Sequence, residues 1–587
     1  MSCRSLVLLF GLVAPALAQA PRITPAGDPS IRGDTIYSLA VNPADHPGQP
    51  FIYLLDDGVV RYEADGRGSR TYRQIVQVLT PEAVERWGEY SFSYSPGRER
   101  LTVNWIRVVR PNGEVISDKP VHEQESLSPA AQEAPVYTDQ RVRQISVGGV
   151  AANTIVDYSY TVETLDPFMP RDFYSGWRIT TGRLTRRSRF MLDVPQKLTP
   201  RIREVNVGFP RREWTGKGRH VYEWATAEVQ PIESEPFAAD SNGVVGYVNV
   251  SAPIGWNDVA RWYADLSEDR YALSPALEDK VKEILRDAAS LDDSLKAVHR
   301  WVAQDFRYVS LSLGIGGYRP RQPADVLATQ YGDCKDKATL FVALARRMGV
   351  TAYPVLLSSN ATAERELPST RQFDHMIAAV ERPGGRLYMD LTADLTPYGS
   401  LPPDEQGGFA LVVHPDGSAD SVMLPQDSVT ANRSDISIVG ELSPAGVFSG
   451  RFTRVGMGSR QYPLRQAFTH TLTATERTEL IRALANSVIQ GASGDSLVAF
   501  DGRDLGAPAR VSLAIQDGRV TSSAGGLDVL TLPIDYLTVS GLIQDLASHV
   551  PRRFPIDPEG IFGAFELNLT LQLTLPEGWR ARIPADV

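Results

Sequence analysis

The sequence predicts a multidomain α+β protein with β-rich regions at both ends and a mixed region of helices and strands between them. Its 587 residues exceed the roughly 250 to 300 residues at which a single hydrophobic core stops growing. Helical periodicity is concentrated within residues 275–349, whereas short alternating segments fill residues 36–250. Apolar residues also occupy every second position from Phe565 to Leu575, which is typical of a half-buried strand.

The N-terminal region, residues 36–250, is predicted to be a β-sandwich. Several short segments alternate between apolar and polar residues and are separated by turn residues such as Pro111-Asn112-Gly113. Antiparallel sheets with one solvated face produce this pattern. The clearest strands contain Leu101, Val103 and Trp105, and then Val156, Tyr158, Tyr160 and Val162. We interpret this domain as a packing or binding module.

The central region, residues 255–400, is predicted to be an α+β core. Ser274 followed by Pro275 marks the start of a helix that extends to Asp287, and Asp292 or Asp293 can cap a second helix. A third helix follows the Gly332-Asp333-Cys334 turn and ends at Gly349. Strands are expected afterwards over residues 351–357, 375–380 and 386–391, and helices followed by antiparallel strands indicate an α+β domain.

The rest of the chain is predicted to be a linker and a second β-rich domain. Residues 401–429 are assigned to the linker because the segment from about Pro397 to Gly408 is rich in Pro, Gly and acidic residues. Residues 430–587 return to strand signals, interrupted by one helix over residues 476–489.

Composition and targeting signals limit the possible partners. The chain has 70 acidic and 60 basic side chains, a net charge of −10, and no basic block, so we do not expect a nucleic-acid partner. Residues 1–20 resemble a secretory signal peptide cleaved after Ala20, and the remainder contains no apolar stretch long enough to span a bilayer. We therefore expect a periplasmic or secreted protein whose oligomeric state is left open.

The chain has two cysteines, and loss of the signal peptide would remove Cys3 and leave only Cys334. Such a thiol is either buried and inert or reactive. Cys334 lies in the first turn of a predicted helix, where unpaired backbone N–H groups stabilise a thiolate. Lys335 and Lys337 follow it, and a solvated helix start explains these lysines equally well.

A thiolate nucleophile needs a proton donor for the leaving group, and His375 is the best placed histidine. It begins a predicted strand that a four-residue turn joins to the next strand. If Glu381 faces Arg386 across that turn, Asp390 lies on the same face as His375 and diagonal to it. A carboxylate there can hold the imidazole in one orientation. Asp374 and Asp394 are the alternative carboxylates.

Three motifs resemble the transglutaminase-like superfamily: Tyr331-Gly332-Asp333-Cys334-Lys335-Asp336-Lys337, Phe373-Asp374-His375 and Tyr388-Met389-Asp390. The segment from Arg107 to Glu114 is similar to an uncharacterised β domain that often precedes such cores in bacterial envelope proteins. The resemblance implies a papain/transglutaminase-like core. Cys334 would be the nucleophile, His375 the general base and acid, and Asp390 the orienting carboxylate. Gln304, Tyr308 and Tyr318 are candidates for an oxyanion-stabilising side chain.

The expected chemistry is acyl transfer through a thioester on Cys334. Water as acceptor would make the chain a peptidase or amidase, and an amine would make it a cross-linking enzyme; we place hydrolysis first. The substrate would be a protein or peptide, for example one of the cell envelope. We expect no cofactor and no metal, because HExxH, paired CxxC and EF-hand motifs are missing. The alternative is a noncatalytic envelope protein that uses its β domains for binding or as a scaffold.

Overall fold

The structure is a computed structural model that describes residues 35–128, 136–179, 182–232, 235, 238, 245–524, 527–530, 551–556 and 563–582. The predicted signal peptide lies outside these residues. Across the described ranges, none of the helices is both long and apolar enough to cross a membrane.

The N-terminal domain is built almost entirely of strands. Its largest sheet has eight strands in the order β13-β14-β11-β1-β2-β9-β4-β5, and two smaller sheets have the orders β10-β15-β12 and β3-β8-β6. The elements are β1 (Phe51–Tyr62), β2 (Gly68–Val78), α1 (Val84–Gly88), β3 (Glu89–Tyr94), β4 (Glu99–Val109), β5 (Val115–Ser117), β6 (Pro120–Leu127), β7 (Val136–Thr138), β8 (Arg141–Val147), β9 (Ile155–Thr164), β10 (Tyr174–Arg178), β11 (Thr185–Pro195), β12 (Arg201–Val205), β13 (Arg212–Gly216), β14 (Arg219–Val229) and β15 (Tyr247–Ser251).

The smaller sheets pack against different parts of the large one, as the alternating apolar residues predict. Val76 and Val156 of the large sheet share an apolar cluster with Tyr90 and Ile145 of the β3-β8-β6 sheet. Inside the large sheet, Asp157 is fully buried, and its carboxylate accepts hydrogen bonds from Arg73, Arg107, Tyr37 and Trp105. A buried carboxylate needs such partners to remain charged.

The central domain packs helices against a five-stranded sheet in the order β21-β20-β19-β22-β23. Helix α6 contacts β19 and β20, so its apolar side chains form the core between helix and sheet. The elements are α2 (Trp256–Ser267), α3 (Pro275–Ile284), α4 (Leu291–Asp305), β16 (Arg307–Tyr308), β17 (Ser310–Ser312), α5 (Pro323–Thr329), β18 (Tyr331–Gly332), α6 (Cys334–Arg347), β19 (Ala352–Leu357), β20 (His375–Arg382), β21 (Gly385–Met389), β22 (Phe409–Val413) and β23 (Ala419–Met423).

Two of the predicted helix signals have the expected roles, and one differs. Ser274 caps α3 by accepting a hydrogen bond from the Leu277 N–H, and Gly349 follows α6 with a φ of +80°, a conformation that glycine adopts without strain. Helix α4 is capped by Ser290, whose hydroxyl accepts from the Asp293 N–H, rather than by Asp292 or Asp293.

The segment 401–429 is not simply the linker that its composition predicts. Strands β22 and β23 lie within it and extend the central sheet, with β22 paired to β19. All five residues of β22 are apolar and buried, and this burial outweighs the turn-forming residues around them. The preceding loop therefore lies against the core domain.

The C-terminal domain has a five-stranded sheet in the order β26-β27-β25-β24-β30. The alternating segment near residue 570 forms β30, and its leucines pack against the apolar cluster of this domain. The elements are β24 (Arg433–Leu442), β25 (Val447–Gly456), α7 (Tyr462–Ala467), α8 (Ala474–Val488), β26 (Ser493–Val498), β27 (Ala509–Arg519), β28 (Thr521–Ala524), β29 (Leu527–Leu530) and β30 (Glu566–Thr574).

Candidate active site

Cys334 is the first residue of α6, and the residues around it fix the start of that helix. The Asp333 carboxylate caps the helix by accepting from the Asp336 N–H at 3.2 Å, and the Asp336 carboxylate binds the Arg321 side chain at 2.9 Å. A Cβ on Gly332 would lie 2.9 Å from the Asp336 Cβ, so only glycine fits without a shift in this turn.

The thiol of Cys334 is free and half-buried. The backbone N–H groups of Cys334 and Lys335 have no hydrogen-bond partner among the described residues, as expected in the first turn of a helix. They provide two donors beside the sulfur. The adjacent lysines do not form the solvated helix start that was the alternative interpretation, because Lys335 and Lys337 are both buried.

His375 and Asp390 lie together as the predicted hairpin register requires. Glu381 pairs with Arg386 across the turn, and the distance from His375 Nε2 to Asp390 Oδ2 is 3.3 Å. His375 also makes a side-chain hydrogen bond with Cys334. The structure thus brings the three predicted residues into one connected set.

The charges of this set are mutually stabilising. Burial alone would lower the pKa of His375, but Asp390 and the hydrogen bond with Cys334 outweigh it, and the net pKa lies well above the ordinary value. Burial raises the pKa of Asp390, whereas His375 and the Thr392 N–H and hydroxyl lower it, and the net direction is down. This environment favours an imidazolium beside an aspartate anion.

A fourth residue, Glu405, was missed by the sequence analysis. Its Oε1 lies 3.3 Å from His375 Nε2, the side chain is only 4% exposed, and its Oε2 has no hydrogen-bond partner within the described ranges. Burial raises the pKa of Glu405 to about 7, the hydrogen bond with His375 opposes this rise, and the charge of Asp390 adds to it. The apolar run Phe409–Val413, which forms β22, was the sequence signal that could have placed the preceding loop beside His375.

Neither of the alternative carboxylates, Asp374 and Asp394, is paired with His375 among the described residues. Asp374 accepts hydrogen bonds from the Ser359 N–H and hydroxyl. The backbone carbonyl of Asp394 accepts from Gln304. In the part of the chain that the structure describes, the carboxylates paired with His375 are Asp390 and Glu405.

Among the described residues, the side chains of His375, Asp390 and Glu405 form the group that could hold a metal ion. One ligand atom from each of His375, Asp390 and Glu405 lies within 4.8 Å of the others. Cys334 also interacts with this imidazole, and an imidazole between a thiol and carboxylates can transfer protons.

Two further buried basic groups lie behind the carboxylates. Lys337 donates to the carbonyl oxygens of Ala303 and Phe306 at 3.0 and 3.1 Å, and burial lowers its pKa to about 8 despite the opposing charges of Asp390 and Asp394. Burial likewise lowers the pKa of His299 to about 4. His299 is therefore neutral near pH 7, whereas Lys337 is positively charged there and interacts with Asp390.

Of the three oxyanion candidates, Tyr308 is the one whose pKa is affected by the charge of the Cys334 thiol. Burial raises the pKa of Tyr308, and the charges of Cys334 and Asp333 raise it further. The Gln304 amide donates to the carbonyls of Asp394 and Arg503, both at 2.9 Å, and is already occupied. Tyr318 packs its ring on Phe168 and lines the cavity in front of Cys334.

That cavity has a volume of about 300 Å³ and opens between the N-terminal and central domains. Cys334 and His375 line one side of it, and residues of the N-terminal domain line the other. A second cavity, of about 400 Å³, continues from it along the N-terminal domain, since both cavities share Ser95, Gln140, Phe168, Tyr318, Thr370 and Phe373.

Comparison with known proteins identifies two of these regions. Residues 278–384 match the transglutaminase-like superfamily, and residues 64–233 match a domain of unknown function that has solved structures, DUF3857. Both matches confirm the resemblance drawn from the sequence motifs. No curated protein matches the chain.

One solved structure shares the fold of this chain at low sequence identity. A putative protease from Parabacteroides distasonis is 13% identical, with a TM-score of 0.55 over 85% of this chain and 97% of that chain; at this identity the likeness shows a common fold. A putative cysteine protease from Cytophaga hutchinsonii is 12% identical over 55% of this chain and 76% of that chain, with a TM-score of 0.18. The predicted multidomain α+β class is confirmed, and the chain has a region that matches the transglutaminase-like superfamily, preceded by a region that matches DUF3857.

Proposed function

We propose that this protein is a thiol peptidase or amidase that cleaves a peptide or protein amide through a thioester on Cys334. The observation that carries the proposal is the connected set of thiol, imidazole and carboxylate formed by Cys334, His375 and Asp390. A half-buried thiol at a helix start, paired with a raised-pKa histidine, is the environment of a nucleophilic cysteine.

The first half-reaction forms a carbon–sulfur bond and breaks the amide. The Cys334 thiolate attacks the carbonyl carbon, and the N–H groups of Cys334 and Lys335 donate hydrogen bonds to the oxyanion. The imidazolium of His375 gives its proton to the departing amine as the carbon–nitrogen bond breaks.

The second half-reaction releases the acid. Neutral His375 takes a proton from water, the hydroxide attacks the thioester, and the carbon–sulfur bond breaks to restore the thiolate beside the imidazolium. Asp390 keeps the imidazole in one orientation throughout. An amine in place of water would give a cross-linked product from the same thioester.

The place of action is part of the proposal. The predicted signal peptide supports export, so we propose that the substrate is a protein or peptide met outside the cytoplasm, such as a component of the cell envelope.

Alkylation with iodoacetamide from about pH 5 to about pH 9 tests the thiolate without knowledge of the substrate. We expect Cys334 to label at about pH 6 at least about tenfold faster in the unmodified protein than in His375→Ala, because the imidazolium stabilises the thiolate. His414→Ala is the matched control, since His414 lies 3.0 Å from Asp420 in a second histidine–carboxylate pair. Equal labelling of all three proteins at every pH would refute the nucleophile.

The acceptor is tested by mass spectrometry of envelope proteins from cells with Cys334→Ala or the unmodified chain. New protein termini that depend on Cys334 would support hydrolysis. Isopeptide links that depend on Cys334 would overturn it in favour of transfer.

A further inference from the structure

The N-terminal β domain forms part of the cavity that contains the candidate nucleophile. Five of its residues line the same 300 Å³ cavity as Cys334 and His375: Ser95, Thr138, Asp139, Gln140 and Phe168. All five fall within the range that matches DUF3857. A substrate that reaches the thiol through this cavity must therefore contact the domain.

Specific contacts hold this domain against the central one. Strand β7 pairs in parallel with β17, and the Asp139 carboxylate accepts from the Gly314 N–H at 3.1 Å. The Leu311 N–H in β17 in turn donates to Asp333 at 3.4 Å, the residue that caps the helix of Cys334. The chain of contacts from β7 to the thiol is continuous.

Aromatic rings from both domains meet at the cavity. Phe168 of the β domain packs on Tyr318 with ring centroids 4.9 Å apart, and Tyr318 packs on Trp262 at 5.3 Å. The Arg98 guanidinium lies 4.1 Å from the Phe168 ring centroid. Each of these three rings is half-buried, so apolar surface remains open to the cavity.

The charged groups of the cavity already have partners within the protein. Asp139 is bound to Gly314, Lys335 is paired with Asp333, and Asp374 accepts from Ser359. The Gln140 side-chain amide has no partner among the described residues, so it can bond to a peptide backbone. The cavity thus offers a ligand aromatic surface beside polar groups, and the Gln140 amide is available to orient it.

We propose that the DUF3857 domain supplies the substrate-recognition side of the active site, and that the aromatic pocket of Phe168, Trp262 and Tyr318 takes a large apolar side chain of the peptide substrate beside the amide attacked by Cys334. This inference rests on the proposed function. The expected substrates are peptides with a Phe- or Leu-sized residue next to the cleaved bond.

Peptidyl acyloxymethyl ketones test this preference directly, because the thiolate forms a carbon–sulfur bond with the methylene carbon and displaces the carboxylate. Reagents that differ only in the adjacent residue, Phe, Leu, Gly, Glu or Lys, are compared by the rate at which they label Cys334. We expect the Phe and Leu reagents to react at least about tenfold faster than the others, from the apolar area that they bury.

Phe168→Ala is expected to lower the Phe and Leu rates about tenfold relative to the Gly rate of the same variant. Trp214→Ala is the matched control, because Trp214 belongs to the same domain, is 45% exposed and lines neither cavity. If Phe168→Ala does not fold, Gln140→Ala provides a second variant, which should slow every peptidyl reagent but not iodoacetamide.

Equal rates for all five reagents, a preference that survives in Phe168→Ala, or peptidyl rates that are unchanged in Gln140→Ala would overturn the inference. Iodoacetamide labelling separates this result from failure of the proposed function, because that labelling depends on His375 and not on the pocket. The preference is a ratio of rates at one sulfur atom, so it can be measured whichever way the His375 experiment comes out.

Discussion

Replacing Glu405 by glutamine should remove a pH-dependent loss of stability from the central domain. The buried carboxyl of Glu405 has a pKa of about 7, against an ordinary value of 4.5. The unfolded chain therefore loses this proton near pH 4.5, whereas the folded protein retains it up to about pH 7. Between these values the folded state binds more protons, so its stability falls as the pH rises.

The magnitude follows from the same two values. A pKa of about 7 instead of 4.5, at 1.36 kcal/mol for each pKa unit, costs the folded state about 3 kcal/mol above pH 7. Glutamine has the shape of the protonated carboxyl and does not titrate. The variant should be close to the unmodified protein at about pH 4 and more stable by up to about 3 kcal/mol at about pH 8.

Urea unfolding, followed by tryptophan fluorescence at several pH values, measures this difference in the free energy of unfolding. The relevant transition is the one in which the central domain unfolds. Asp404→Asn is the matched control, because Asp404 is the adjacent residue and its carboxylate is exposed. The reasoning fails if Glu405→Gln has the same pH dependence as the unmodified protein, or if Asp404→Asn reproduces the effect.

Three further predictions concern the folded state. Asp157→Asn should destabilise the N-terminal domain by about 3 to 5 kcal/mol, because Arg73 and Arg107 lose a buried counter-charge. Urea unfolding would measure this loss in the free energy of unfolding, and a loss below about 1 kcal/mol would contradict the prediction. Lys337 has a pKa of about 8 in the folded protein, so the unfolded state binds more protons between about pH 8 and the ordinary lysine pKa of 10.5, and the free energy of unfolding should rise there by up to about 3 kcal/mol. Lys337→Met should lack this rise. A pH profile identical to that of the unmodified protein would contradict the prediction. Phe341→Ala, at a fully buried position in α6, should lower the free energy of unfolding by about 3 to 5 kcal/mol, and calorimetry should show a lower midpoint for the central domain.

Local patterns predicted much of the site because the relevant contacts are close in sequence or set by register. The helix that carries Cys334 depends on Gly332 and Asp333 immediately before it. The position of Asp390 relative to His375 depends on a hairpin turn of four residues, and a turn of that length fixes the pairing.

The position of Glu405 could not be predicted in the same way. It lies on a loop, and its partner His375 is reached only because β22 pairs with β19 in the central sheet. Pro402 and Pro403 suggested a linker, whereas the burial of β22 decided where the chain goes. Pairing between strands far apart in sequence is not specified by local periodicity.

The contribution of the N-terminal domain was hidden for a related reason. Phe168 and Tyr318 are 150 residues apart and lie in different domains, so no local pattern connects them. Their meeting depends on strand pairing between β7 and β17, and both strands have only three residues.

That short pairing has a consequence for how the chain can be divided. Separating the transglutaminase-like domain from its N-terminal neighbour would expose the edge of β17 and the rings of Tyr318 and Trp262 to water, and would release the loop that reaches the cap of the nucleophile's helix. An excised core would thus lose an attachment on which its own active-site geometry depends. On the proposed function, the smallest unit that retains the activity is therefore a pair of domains, and we expect that transplanting the core alone into another chain would not transfer the activity.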